Sequence, residues 1–185
     1  MTTATDTRES LSAALKTSTA EAHDKAEHSV FMDELLAGKL SVADFIALQE
    51  QSWLFYSALE DAARAVADHP LASGIVDPAL ERVNALEHDL NHLHGSTEWR
   101  TTVTPLPATV EYIARLNDIE DTKDVARLLA HHYVRYLGDL SGGQVIGRMM
   151  QRHYGVSDEC VTFYHFAEIP KTKPYKYNYR AALDA

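Results

Sequence analysis

The sequence has a single cysteine, no long apolar run and few basic residues. Cys160 alone cannot form an internal disulfide bond, so the chain is compatible with a reducing compartment. No stretch approaches the roughly 20 apolar residues that span a bilayer, and the polar N-terminus lacks the apolar core of a signal peptide. We therefore expect a cytoplasmic protein without a membrane segment.

Basic residues are outnumbered by acidic ones, 17 to 27, which gives a formal net charge of −10. Nucleic-acid binding normally needs a basic face that releases counterions from phosphate groups. A nucleic-acid partner is therefore not expected. With 185 residues, of which 45% are hydrophobic, the chain is long enough to bury one core. We expect a single domain over 1–185.

Alternation typical of strands is nearly absent, and apolar residues recur at helical spacing instead. Prolines and capping residues divide the chain into predicted helices over 9–29, 41–70, 77–95, 107–116 and 121–154, with a last one after Pro174. Asp121 is the predicted cap of the longest helix, and Gly155 is its predicted stop. The expected fold is an all-α, single-domain helical bundle.

One face of the first helix carries three polar groups. Lys16, Ala20, His23 and Glu27 follow one another at spacings of four, three and four residues, which aligns them along the helix. A neutral imidazole is a good iron ligand, and a carboxylate one turn away can orient it. The alternative is a solvent-exposed polar pair, which contributes little.

The other histidines suggest a metal site less strongly. His88, His92 and His94 form an H-x3-H-x-H run, but neither cysteine nor a group of carboxylates accompanies them. An exposed polar face near a helix end is the favoured interpretation. A di-iron bundle would need paired E-x-x-H elements, and the sequence contains none.

Four glycines fall within ten residues, 138–147, inside the longest predicted helix. Each costs about 1 kcal/mol relative to alanine in a helix interior, so a compensating role is expected. Gly138 and Gly142 stack one turn apart, and Asp139 and Gly143 lie beside them. A flat ligand could approach this bare backbone, and the helix could bend there. Close helix packing, with Arg135 and Asp139 as an ion pair, is the alternative.

The same stretch, YVRYLGDLSGGQ at 133–144, resembles the distal-helix signature of haem oxygenases. LKTSTAEAHDKAE at 15–27 resembles the proximal segment of that family, and QSWLFY at 51–56 resembles its second helix. The likeness extends over nearly the whole chain and is greatest to bacterial members that obtain iron from haem. It implies haem sandwiched between the first helix and a glycine-kinked distal helix.

The resemblance assigns roles on both faces of the haem. His23 would be the axial ligand of the haem iron, and Glu27 its hydrogen-bonding neighbour. Gly138, Gly142 and Gly143 would lie over the opposite face and leave room for bound oxygen.

Polar groups complete the implied site. Asp139 would organise the water molecules next to the bound oxygen, and Tyr56 and Arg135 would extend that network. The haem propionates would be bound by Lys16, Tyr133, Lys176 and Arg180, although the basic stretch 171–180 taken alone is more typical of a solvated surface.

The implied reaction opens haem b, both substrate and cofactor, to biliverdin, carbon monoxide and ferrous iron with dioxygen. Electrons would come from a separate redox partner, of reductase or ferredoxin type, because no flavin or nicotinamide motif is present. A monomer is expected. Two other functions stay open: a haem carrier, which commonly supplies a second strong iron ligand, and a helical relative with another substrate, which would not need His23.

The sequence departs from the family at its C-terminus. Members usually continue through a further helix, which adds an asparagine to the distal network. Either this sequence is a truncated form or the fold closes without that helix.

Overall fold

The computed structural model describes residues 9–185, and all regular structure in that range is helical. The predicted all-α class is confirmed. Short 3-10 turns join several of the helices. The α-helices, named α1 to α8 in chain order, cover Leu11–Glu27, Val30–Leu36, Val42–Ala65, Val83–His94, Pro107–Thr122, Val125–Gly138, Gln144–Tyr154 and Thr172–Leu183.

Helix α3 is central, since it packs against α4, α5 and α6. Its buried residues Phe45, Ser52, Tyr56, Leu59 and Ala63 follow at spacings of seven, four, three and four, which places them on one face. Burying a large apolar side chain there stabilises the fold by about 1.5–3 kcal/mol. The same periodicity carries the Tyr56 side chain into the interior.

Two predicted helix ends are confirmed. The Ser41 amide donates to the Asp44 carboxylate at 2.9 Å, and the Asp44 amide donates to the Ser41 hydroxyl, which is a complete capping box at the start of α3. Gly155 ends α7 in the left-handed conformation, with φ of 66°. Glycine adopts that conformation without the steric cost of a Cβ atom.

The predicted helix over 121–154 is wrong at its start. Asp121 lies inside α5, which ends where Lys123 takes the left-handed conformation with φ of 51°. Asp124 is the cap of α6, and its carboxylate accepts from the Arg127 amide at 3.1 Å. Two acidic residues close together allowed either cap, and the break at Lys123 selects the later one.

Other predicted boundaries also move. The first helix ends at Glu27 rather than 29, and Ser29 begins the additional short helix α2, whose cap it forms. Helix α3 ends at Ala65, before residue 70. Asp77 and Pro78 begin a 3-10 turn, so that the α-helix of this region starts only at residue 83. The last α-helix begins at 172 and ends at 183, so Pro174 lies within its first turn.

The glycine-rich stretch interrupts the α-helical pattern between α6 and α7. Residues Asp139–Gly143, called the π segment below, form a π-helical turn. Such widened turns are rare in proteins, and many of those that occur lie at functional sites. The predicted irregularity of this helix therefore takes the form of a wider turn in a continuous helical path.

Helix α1 lies at the edge of the bundle, against α2, α6 and α8. Ser12 is its only buried residue. Over residues 9–185, none of the helices has the length and apolar character that crossing a membrane requires.

Candidate active site

The glycines of the π segment and of the adjoining helices have different surroundings. A Cβ atom built on Gly138 or Gly142 would have no neighbour within 4 Å, so the backbone there borders open space. On Gly143 it would lie 3.3 Å from the ring of Tyr164, which also contacts Gly147. Gly138 and Gly142 thus leave bare backbone accessible, whereas Gly143 allows the helix to pack closely on Tyr164.

The carboxylate of Asp139 is held from across the bundle. The Tyr56 hydroxyl, on the buried face of α3, donates a short hydrogen bond to Asp139 Oδ2. The Tyr56 ring is packed edge-on against Tyr136 and Phe163, with centroid distances of 5.8 and 5.5 Å. These two rings fix the position of the hydroxyl group, and the hydroxyl group fixes the carboxylate next to Gly138.

Burial changes the proton affinity of this pair. It raises the pKa of Asp139 to about 6, although the Tyr56 hydrogen bond and the charges of Arg135 and Arg82 act in the opposite direction. Burial, together with the negative charge of Asp139, raises the pKa of Tyr56 well above its ordinary value. Tyr56 therefore remains a proton donor, whereas Asp139 can take up and release a proton near neutral pH.

Arg135 lies beside this pair and stacks on aromatic rings. Its guanidinium carbon is 4.2 Å from the ring centre of Phe55 and 5.1 Å from that of Tyr112. Burial lowers the pKa of Arg135, but Tyr56, Tyr112 and Asp139 raise it by more, so that the group stays charged. Arg135 is thus a fixed positive charge near Asp139.

His23 lies on the exposed side of α1. Its Nδ1 is 3.4 Å from Glu27 Oε2, and the two side chains are 68% and 59% exposed. This contact turns Nδ1 toward the carboxylate and leaves Nε2 as the nitrogen available to a metal. Lys16 is exposed, two turns earlier on the same helix.

The predicted propionate-binding residues occupy two helices besides α1. Lys176 Nζ, on α8, donates to the Ser141 hydroxyl of the π segment at 2.9 Å. Arg180 lies one turn further along α8 and donates to the Lys176 carbonyl at 3.4 Å. Tyr133 is buried on α6. The structure therefore brings Lys176 to the segment that carries Asp139.

The histidine run on α4 forms surface contacts. The rings of His88 and His92 are 4.3 Å apart, and His94 Nε2 is 3.0 Å from Glu50 Oε1. In the part of the chain that the structure describes, no group of three or more His, Cys, Asp or Glu side chains could hold a metal ion. The side chains of His88 and His92 are 46% and 39% exposed, which agrees with the interpretation of this run as a polar face.

Several residues of the site region were not singled out from the sequence. Phe55 and Tyr112 hold Arg135, Tyr164 supports Gly143, and Ser141 accepts from Lys176. Ser141 lies inside the glycine-rich motif and could have been found there. Tyr112 and Tyr164 lie on distant segments, and no local pattern marks them.

A model of the family described as "Heme oxygenase" matches residues 9–185. The chain belongs to the haem oxygenase family. A heme oxygenase of Rhodella violacea is 37% identical over 172 residues, which are 92% of this chain and 72% of that protein. Heme oxygenase 1 of the cyanobacterium Synechocystis is 35% identical over 174 residues, 94% of this chain and 72% of the relative.

Solved structures of family members share the fold. The heme oxygenase of Leptospira interrogans has a TM-score of 0.89 and 33% identity, with 96% of this chain and 86% of that one covered. Heme oxygenase-1 of Synechocystis in complex with heme has a TM-score of 0.86 and 35% identity, with coverage of 95% and 78%. Membership of this family makes the chain a haem-degrading enzyme, an oxidoreductase.

Proposed function

We propose that the chain binds haem b between α1 and the π segment and opens it with dioxygen to biliverdin, carbon monoxide and ferrous iron. The observation that carries this arrangement is the bare backbone at Gly138 and Gly142 beside the carboxylate of Asp139. A flat macrocycle can approach glycine backbone more closely than any side chain would allow. The bound haem supplies the iron that activates dioxygen.

The residues present fit this ligand. His23 offers one ring nitrogen to the iron while Glu27 engages the other. Lys16, Lys176 and Arg180 supply cations for the two propionates. Tyr133 adds a hydroxyl group. The π segment contains no strong iron ligand, which favours an open coordination position for dioxygen over storage of haem.

We assign proton delivery to Asp139. Its pKa of about 6 lets it exchange protons near neutral pH, and the Tyr56 hydroxyl group holds the carboxylate in place through a hydrogen bond to Oδ2. Arg135 keeps a positive charge nearby and limits how far the pKa of the carboxyl group rises. Gly138 and Gly142 leave room for oxygen and for water molecules that Asp139 can orient.

The electrons must come from outside the chain. We propose a reductase or a ferredoxin-type protein as the donor, and iron acquisition from haem as the purpose of the reaction. A monomeric state and the cytoplasmic location expected from the sequence stay predictions.

The proposal is tested by titrating the protein with haemin and then adding ascorbate in air with an iron chelator and catalase. We expect a Soret band of histidine-ligated haem that is replaced by the absorption of biliverdin, with release of carbon monoxide. The variant His23→Ala should lose the histidine-ligated spectrum and the product, and added imidazole should restore part of both. A stable bis-histidine complex that survives reduction in air would instead indicate a haem carrier.

A further inference from the structure

Helix α8 is joined to α1 by a carboxylate that binds two groups of one residue. Asp184, the C-cap of α8, accepts from the Ser12 amide through Oδ1 and from the Ser12 hydroxyl through Oδ2, both at 2.8 Å. These hydrogen bonds link residues 172 positions apart. They lower the pKa of Asp184, so the carboxyl group remains ionised near neutral pH.

Few other contacts hold α1 in place. Ser12 is the only buried residue of this helix, and His23 and Glu27, further along it, are largely exposed. Helix packing normally depends on a buried apolar face, and α1 has only a weak one. The Asp184 contact therefore holds the N-terminal part of α1, where Ser12 is buried and Leu15 packs against the core.

Helix α8 is also anchored to α6, the helix that leads into the π segment. The Tyr179 hydroxyl is 2.7 Å from Nδ1 of His132 on α6, and both side chains are buried, with 1% and 2% exposure. Burial lowers the pKa of His132 to about 3, so the ring is neutral and can share a hydrogen bond with the hydroxyl. Lys176 reaches the π segment itself, at Ser141.

Helix α8 therefore contacts both proposed sides of the haem site. Its C-terminal end holds α1 through Ser12, and its middle holds α6 and the π segment. We propose that α8 is a brace that sets the spacing between α1 and the π segment, with Asp184 as the residue that positions α1. In this role Asp184 touches neither haem nor the reacting atoms.

The inference rests on the proposed binding of haem between these elements, because the spacing would then be the width of the haem site. Loss of the Asp184 contact frees α1 at the end opposite α2. His23 would sample more positions relative to the π segment, and the bond between iron and imidazole would be less uniform. Chemistry at Asp139 would be affected only through haem position.

The spacing can be measured without haem. Spin labels are placed at exposed positions of α1 and α7, through Glu21→Cys and Arg148→Cys, with the buried Cys160 replaced by serine. Pulsed electron paramagnetic resonance then gives the distance distribution between the labels. We expect Asp184→Ala to broaden this distribution and shift it to longer distances. An unchanged distribution would overturn the proposal.

The matched control is Asp44→Ala. Asp44 accepts from the amide and the hydroxyl of Ser41, as Asp184 does from Ser12, but its contact stays within the cap of α3. The Asp44→Ala variant should lower the melting temperature of the protein without changing the distances between the spin labels. If both variants broaden the distribution equally, general loosening explains the effect and the brace is refuted.

A second readout uses the haem-loaded protein. We expect Asp184→Ala to release haem about tenfold faster and to broaden the iron–histidine stretching band, whereas Ser12→Ala, which keeps the amide contact, should have an intermediate effect. Parent-like values in Asp184→Ala would contradict the proposal. If the parent protein itself shows no histidine-ligated haem, the proposed function fails, while the label distances still test the brace.

Discussion

The two proposed sides of the haem site are constructed differently. On α1, His23 and Glu27 are exposed and belong to one short stretch of sequence. In the π segment, Asp139 is held by Tyr56 from another helix, beside the stacked guanidinium of Arg135. The ligand side is therefore a local pattern on a loosely packed helix, and the oxygen side is a network of buried and half-buried groups from two helices and the π segment. Substitutions should affect the two sides in different ways.

The largest effect is expected for Asp139→Asn on the oxygen side. The amide keeps an oxygen for Tyr56 but cannot take up and release a proton, so biliverdin formation should fall about 100-fold. Haem affinity should change little, because the haem-binding residues are untouched. Single-turnover assays with haemin titrations measure both quantities. Wild-type rates in this variant would remove Asp139 from the mechanism.

The neighbouring glycines sharpen the comparison between open and packed backbone. In Gly142→Leu the new side chain extends into open space, so the stability of the apoprotein should not change. The same side chain should exclude haem sterically and lower haem affinity at least about tenfold. Gly143→Leu meets the ring of Tyr164, and overpacking should destabilise the apoprotein by about 1–3 kcal/mol. Denaturant unfolding and haemin titration distinguish the two variants. Equal unfolding energies would contradict the assignment of the two faces.

Ionisation of Asp139, on the oxygen side, should also reduce the stability of the fold at high pH. Asp139 has a pKa of about 6 in the folded chain against 3.8 as its ordinary value, so the folded state binds more protons between these values. Its contribution to stability is present below pH 4 and is lost as the pH rises through 6.

At pH 8, Asp139→Asn should consequently stabilise the apoprotein by about 1–3 kcal/mol, and this gain should vanish near pH 4. Urea unfolding across this range measures it. Asp118→Asn, at an exposed residue paired with Arg127, is the control and should show no such pH dependence. A gain independent of pH would contradict the raised pKa.

The smallest effect is expected for Glu27→Gln on the ligand side. The His23 contact is 3.4 Å long and exposed, and exposed pairs contribute about 0–1 kcal/mol. Haem affinity should therefore change less than about fivefold, and apoprotein stability should not change. A much larger loss would show that haem binding buries this pair and strengthens it.

Local patterns predicted a large part of the fold. Helical spacing indicated the all-α class, and the start of the second predicted helix at residue 41 and the stop at Gly155 were correct. The Asp121 cap was wrong because Asp124 is an equally good local signal. Caps depend on hydrogen bonds to the next three residues, so the sequence contains them, but the choice between adjacent candidates depends on where the chain turns.

The sequence by itself determined which residues share a helix face: His23 with Glu27, and Gly138 with Gly142. Their spacing and the helical repeat are sufficient for that. Only the tertiary structure decided that Tyr56 meets Asp139, that Gly143 packs on Tyr164 and Gly142 does not, and that Asp184 binds Ser12. These pairs lie on separate helices, and their distances depend on packing, which no local pattern specifies.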